Sequence, residues 1–385
     1  MPASRILPKL GLPQVAALVL LAMFVTQCLW FMVQVPITQM ESSYIEDGML
    51  HVARLVDAST EYHSPLVPVL AGIPAHVVDA KGNFFHLSQY RVLIRLPFLL
   101  AGLLLGGSLW YVARRLYGNI GGYIALGLYC FSPMVITRAS QVQPDIVGAC
   151  GAFGLVFTAI AAAHTVYAPR EIVLWNWKRI LLMGIAIALC IGSQWSLWIV
   201  LIPALAFMLW VGHVRPGAAV LIFAIACVAG LVLLWGFSSF RPAEFAGALR
   251  DANWVEFSPA QVTGKSVLVL LQLYFVQNGL GTLILLLMSF AVFVAWRRAR
   301  YFGNAAPLIT GLLLIACGLT MQHFAGMLFL FVALPFLTLF MAGVSADLLE
   351  TKCAVFANAV IVGVLIANAV LEVNGLVQLS RPVAR

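Results

Sequence analysis

The chain has 385 residues, 63% of them apolar and only 9% charged, with a mean hydropathy of +1.01. An ordinary soluble domain is about 45–50% apolar and about 25% charged, so this composition excludes a water-covered globule and points to a polytopic membrane protein. The net charge of +8 comes from thinly spread cations at loop ends, with no basic run interleaved with aromatics, which argues against a nucleic-acid partner.

Arg5 and Lys9 precede an apolar stretch from Leu12 to Val35. That stretch is longer than the core of a signal peptide, which is about 7–15 residues, and no small-residue cleavage site follows it. It is expected to be a retained first span. A span needs about 20 apolar residues. Such windows fall at 13–35, 96–114, 119–137, 146–167, 217–237, 279–296, 305–321, 324–343 and 353–373. The segment 180–211 would measure about 45–48 Å as one helix, too long for a single simple crossing. Its middle, Gly192-Ser193-Gln194, is polar, and basic residues flank both ends, so it is predicted to be a hairpin of two short helices. The expected fold is an all-α integral membrane bundle of about 11 segments, forming one domain over 1–385.

The cation groups at Arg5 and Lys9, Arg114 and Arg115, Lys178 and Arg179, Arg215, Arg297 to Arg300, and Lys352 all fall on one side under this count. By the positive-inside rule that side is cytoplasmic. Two long loops, 36–95 and 238–278, then face outward. Within the first, apolar and charged residues alternate over 46–58 with a helical period, which predicts a helix lying in the interface. A second interfacial helix is expected at 266–277.

The seven cysteines are scattered, nearly all within apolar runs, and form no CxxC pair. They read as small buried hydrophobes, not as a disulfide or zinc framework. Gly102 and Gly106 form a small-xxx-small pair suited to helix packing. No phosphate-cradling glycine loop, GxSxG or HExxH occurs.

The acids are unevenly placed. Of 14 Asp and Glu, six lie in the first outer loop: Glu41, Glu46, Asp47, Asp57, Glu61 and Asp79. Asp145 follows Pro144 in the turn between the third and fourth spans. An acid at the end of a span is costly unless hydrated or paired. Asp145 also suits the plain role of a helix-start residue, and Asp47 that of a solvated acid. His51, His63, His76 and His86 share the loop without metal-ligand spacing.

In order along the chain come Glu46-Asp47, "EYHSPLVPVL" at 61–70, Arg95-Leu96-Pro97, "ARRLYGNIGGYIALGLYCFSP" at 113–133, and Asp145. This series resembles the GT-C membrane glycosyltransferases, and most closely the branch of protein mannosyltransferases and aminoarabinose transferases. The likeness covers 13–215 well and the remainder in hydropathy alone. Ser64-Pro65 stands where those proteins carry a double proline, and the chain is short.

The resemblance implies transfer of a sugar from a polyprenyl-phosphate donor to a glycan, lipid or protein acceptor, with inversion. It places the protein in a bacterial inner membrane with the site facing outward. Asp47 is then the general base, with Glu46 supporting it or acting in its place. Asp145 would orient the acceptor or help hold a divalent ion, although no metal is compelled by the sequence. Arg91 and Arg95, at the mouth of the second span, are suited to the donor phosphate, or to interfacial snorkelling. Tyr62 and His63 are candidates for substrate contact. Two other readings stay open: a transporter or flippase of a lipid-linked substrate, and an inactive family member that acts as an assembly partner. The absence of a repeat and the gathering of acids at one face favour the enzyme over the transporter.

Overall fold

A computed structural model describes residues 11–53, 66–78, 90–165, 177–237, 241–250, 268, 272, 280–320, 325–352 and 354–380. Every regular element among these residues is helical. Seven helices are long and apolar enough to cross a membrane.

The chain opens with α1 (Leu12–Gln34), turns at Val35, and enters α2 (Gln39–Ala53) and α3 (Leu66–Val78). Next comes α4 (Arg91–Cys130), which is two helices in one. At Gly118 the backbone takes φ +76°, ψ −174°, a conformation that a side chain disfavours and glycine tolerates. The chain reverses there. Residues 119–130 fold back along 91–117, so that a Cβ on Gly122 would sit against Trp110 and Arg114, and the Tyr129 hydroxyl donates to the Gly102 carbonyl at 2.6 Å. Gly106 faces the Tyr129 ring. The small pair Gly102 and Gly106 therefore does serve packing. The predicted spans 96–114 and 119–137 are this antiparallel pair, although the second ends at Cys130. A short α5 (Pro133–Ala139) follows, and then α6 (Pro144–Ala163).

The segment 180–211 turns back on itself. It forms α7 (Trp177–Ser193), a 3₁₀ turn (Trp195–Val200) and α8 (Leu201–Val211). Gln194 between them is extended, with φ −156° and ψ 123°. Gly148, Gly151 and Gly154 on α6 face Ser193, Cys190 and Ala186 on α7 in turn, which makes an antiparallel pair with nearly touching backbones. Gly212, just after α8, lies near Ala163 at the end of α6, so the chain has returned to the side where α7 began.

The remaining helices are α9 (Pro216–Phe237), α10 (Pro242–Arg250), α11 (Leu280–Ala295), α12 (Phe302–Thr320), α13 (Ala325–Leu349) and α14 (Ala354–Ser380). The expected helix at 266–277 lies almost wholly outside the described residues. Within α13, the span Met327–Leu349 is 94% buried, against 28% for α1 and 22% for the span in α14. Thus α13 is the central post, packed on α4, α6 and α12, while α1 and α14 face the surroundings. Phe336 on α13 meets Phe153 and Phe157 on α6 at centroid distances of 5.5 and 6.1 Å. Six described cysteines lie in these apolar helices and are unbridged; Cys28, Cys130, Cys190 and Cys317 are buried.

The two ends of the bundle differ. One end carries the α4 reversal, the end of α6, the start of α7, the end of α8 and the start of α12. Arg114, Arg115, Lys178, Arg179, Arg215 and the Arg297–Arg300 cluster all collect there. Tyr117 donates to the Gly303 carbonyl at 2.6 Å, and Asn304 donates to Asp347 at 2.9 Å, joining α4, α12 and α13. Burial, and then Asp347, push the Tyr301 hydroxyl well above its ordinary range, so it stays a donor to that carboxylate. The other end is crossed by α2.

Candidate active site

Helix α2 is about 22 Å long at 1.5 Å per residue. It begins over α1 and α4, and His51, in its last turn, bonds the carbonyl of Phe237 at the end of α9 at 2.8 Å. A carbonyl only accepts, so Nε2 of His51 carries the proton in this contact. Helix α2 therefore lies across the end of the bundle, as an interfacial helix would. The periodicity placed it at 46–58; it occupies 39–53 and starts about two turns earlier. Its buried face is Glu41, Ile45, Gly48 and Met49. Gly48 meets α3 so closely that a Cβ would collide with the Pro68 carbonyl and stand 2.9 Å from the Gly72 Cα. Only two facing glycines allow this approach.

The start of α2 is fastened by a buried ion pair. Glu41 is 0% exposed and Arg95 is 1% exposed. Arg95 Nε donates to Glu41 Oε1 at 2.9 Å, and Nη2 donates to Oε2 at 2.8 Å. Arg95 Nη1 donates to the carbonyls of Met32 and Val35 at 3.2 and 2.9 Å, and Nη2 also donates to Pro36 at 3.0 Å. A guanidinium has five N–H donors, and all five are used. This corrects one expectation: Arg95 has no donor left for a phosphate. It braces the end of α1, where the last turn of the helix leaves carbonyls without intrahelical partners.

Glu41 is equally occupied. Oε2 accepts from the Thr38 amide at 2.9 Å, and Oε1 accepts from the Val142 amide at 2.9 Å. Val142 lies in the loop between α5 and α6, three residues before Asp145. The acids of α2 and the head of α6 are thus joined through one carboxylate. Ser140 ties the same loop to the Cys28 carbonyl at 3.3 Å.

Asp145 sits in the first turn of α6 behind Pro144 and is 6% exposed. The helix dipole favours a carboxylate there. Arg138 Nη1 donates to Asp145 Oδ2 at 3.3 Å and to Gln143 Oε1. The Nε and Nη2 groups of Arg138 have no partner among the described residues, which leave one edge of its guanidinium unused. Sequence reasoning passed over Arg138. The available signal was a cation seven residues before Asp145, at the end of the bundle where cations are sparse.

Asp47 is half-buried and Glu46 is exposed, one residue apart on α2. Asp47 lies six residues beyond Glu41, about 9 Å along the helix axis. His51 follows Asp47 by one turn and shares its face. Arg91 is half-buried at the start of α4, and its Nη2 donates to the Val33 carbonyl. Its other N–H groups have no partner among the described residues. Tyr62 and His63, with Asp57, Glu61 and Asp79, lie outside the described residues.

Among the described residues no three His, Cys, Asp or Glu side chains come together as a metal site. The Asp145 carboxylate is engaged by Arg138, so the described donor set does not fit a divalent ion.

Residues 84–239 match the protein family described as dolichyl-phosphate-mannose-protein mannosyltransferase. No curated protein matches by sequence. Among solved structures, ArnT from Cupriavidus metallidurans bound to undecaprenyl phosphate superposes with a TM-score of 0.64 at 14% identity, covering 94% of this chain and 75% of that one. The chain has a GT-C-like fold, which it shares with ArnT. The GT-C likeness extends to the Archaeoglobus fulgidus oligosaccharyltransferase, with a TM-score of 0.61 at 13% identity over 97% of this chain and 56% of that one. The archaeal AglB in complex with an inhibitory peptide and a dolichol-phosphate gives 0.54 at 13% identity, over 96% of this chain and 56% of that one. This chain thus spans a little over half of the archaeal proteins. At identity this low the likeness is one of fold, the path of the helices.

Proposed function

We propose that the protein transfers a sugar from a polyprenyl-phosphate donor to an acceptor at the outer face of a bacterial inner membrane. The observation that carries this reading is the joining of α2, which bears Glu46 and Asp47, to the head of α6, which bears Asp145, at one end of a GT-C bundle. The similar structures carry undecaprenyl phosphate in one case and dolichol-phosphate with a peptide in another.

In this reaction the acceptor oxygen or nitrogen attacks the anomeric carbon of the sugar. The carbon–oxygen bond to the phosphate breaks, and the phosphate leaves with the electron pair. Asp47 takes the acceptor's proton as general base. The single displacement inverts the anomeric centre. Asp145, held by Arg138 and the α6 dipole, orients the acceptor. Arg91 and the unused edge of Arg138 meet the phosphate, since a guanidinium edge matches phosphate oxygens in pairs. The interface is the right place for this chemistry: the donor's tail stays in lipid while its sugar meets an aqueous acceptor. The candidate acids Glu46, Asp47 and Asp145 sit at one end and not midway through the bundle, which speaks against a flippase.

The test supplies purified protein with a lipid extract containing labelled polyprenyl-phosphate sugars, and separately with nucleotide sugars. Label should move from the lipid donor to an acceptor. Transfer from a nucleotide sugar with no lipid intermediate would overturn the reading.

The orientation has its own test. The cation-rich end should face the cytoplasm. In a cysteine-free background, Met40→Cys on α2 should react with an impermeant thiol reagent in intact cells, and Gly217→Cys at the start of α9 should react only after lysis. Met40 is 55% exposed, and a Cβ on Gly217 meets nothing within 4 Å, so neither change disturbs packing. The reverse labelling pattern would invert the topology.

A further inference from the structure

We infer that Glu41 and Arg95 are positioning residues of the transfer reaction: their buried pair sets the separation between the acids of α2 and Asp145. The inference rests on the transferase reading above. Three strands of backbone meet at this pair. Arg95 holds the exit of α1 through Met32, Val35 and Pro36. Glu41 holds the entry to α2 through Thr38, and the approach to α6 through Val142. The Val142 amide links the Glu41 carboxylate of α2 to the α5–α6 loop, three residues from Asp145.

A brace that served only folding would not need this arrangement. An apolar contact of the same size would hold three helices together at least as well, because two buried charges lose much of their attraction to desolvation. What the pair adds is direction. Seven hydrogen bonds fix the carboxylate and the guanidinium in one orientation. Helix α2 therefore cannot slide or roll over the bundle without breaking ionic contacts. A base and an acceptor-orienting acid on separate helices need such a constraint, since a misplacement of about 1 Å can cost on the order of 10²-fold in rate.

Two substitutions separate position from charge. Glu41→Asp keeps the charge opposite Arg95 and shortens the reach to Val142 by one methylene, about 1.5 Å. Glu41→Gln keeps the length and an acceptor oxygen for Val142, and removes the charge. Each is purified as the full chain and assayed for melting temperature, and for kcat and KM with the polyprenyl-phosphate sugar that the wild type uses. Glu41→Asp should melt nearer to wild type yet lose about 10- to 100-fold in kcat, with donor KM within about twofold. Glu41→Gln should lose more melting temperature and less kcat. Ser140→Ala, which removes the other tie of the same loop, should leave kcat near wild type. Stability then follows charge while turnover follows length. If both quantities fall in the same order across the two variants, or if Glu41→Asp turns over like wild type, the pair is structural only. A wild-type protein that transfers no sugar would instead count against the transferase reading itself.

Discussion

Asp47→Asn is expected to lower turnover by about 10²–10⁴-fold, the usual contribution of a general base. At about 1.36 kcal/mol per decade this is roughly 3–5 kcal/mol of transition-state stabilisation. Asn keeps the shape of Asp and its capacity to accept a hydrogen bond, but it cannot take a proton at neutral pH. Donor KM should change little, because in the proposed reaction the carboxylate meets the acceptor and not the phosphate. Asp47 is half-buried on a helix whose seat is made by Glu41, Ile45, Gly48 and Met49. Glu46→Gln is the comparison. Glu46 points into the surroundings from the neighbouring position and should tolerate the change. A full-rate Asp47→Asn together with a slow Glu46→Gln would move the base by one residue. Full rates in both would remove this stretch of α2 from the chemistry.

The path of the membrane helices was legible because each needs a long apolar run, and lipid leaves the backbone no other regular choice. The hairpin at 180–211 could be read from its length and from Gly192-Ser193-Gln194. The reversal at Gly118 could be placed between two apolar windows, although nothing in composition showed that the two helices would be continuous. Helix α2 was legible as an interfacial helix, but its start was not. The periodicity over 46–58 carries its charged face, whereas its first turn is set by Glu41, a charged residue that is fully buried. Sequence patterns treat an acid as a surface residue, so a buried ion pair between positions 54 residues apart is invisible to them. The same blindness hid Arg138, whose meaning comes from Asp145 beside it. Asp145 stood out in the sequence because an acid at the end of a span is costly unless hydrated or paired, and Asp47 through the resemblance carried by Glu46-Asp47.

Arg95→Leu should be among the most damaging single changes in the protein, and the damage should appear in stability. The substitution leaves Glu41 at 0% exposure with no counter-ion, and it strips donors from the carbonyls of Met32, Val35 and Pro36. Breaking a buried pair by removing one partner costs about 3–5 kcal/mol. Set against a total of about 5–15 kcal/mol for a typical protein, that is a large share. Arg95→Lys should fall in between. Its ammonium restores the charge but presents three donors from one point, where the native fork supplies five to five different oxygens. Purified in detergent, Arg95→Leu should give little monodisperse protein, and Arg95→Lys a clearly lowered melting temperature. Donor KM, measured on whatever folded fraction remains, should stay near the wild-type value, because no N–H of Arg95 is free to bind a phosphate. An Arg95→Lys protein with wild-type melting temperature and a raised donor KM would show the opposite: a guanidinium that releases its carbonyls to hold the substrate. The two outcomes differ in which quantity moves, so one preparation of Arg95→Lys decides between a brace and a ligand.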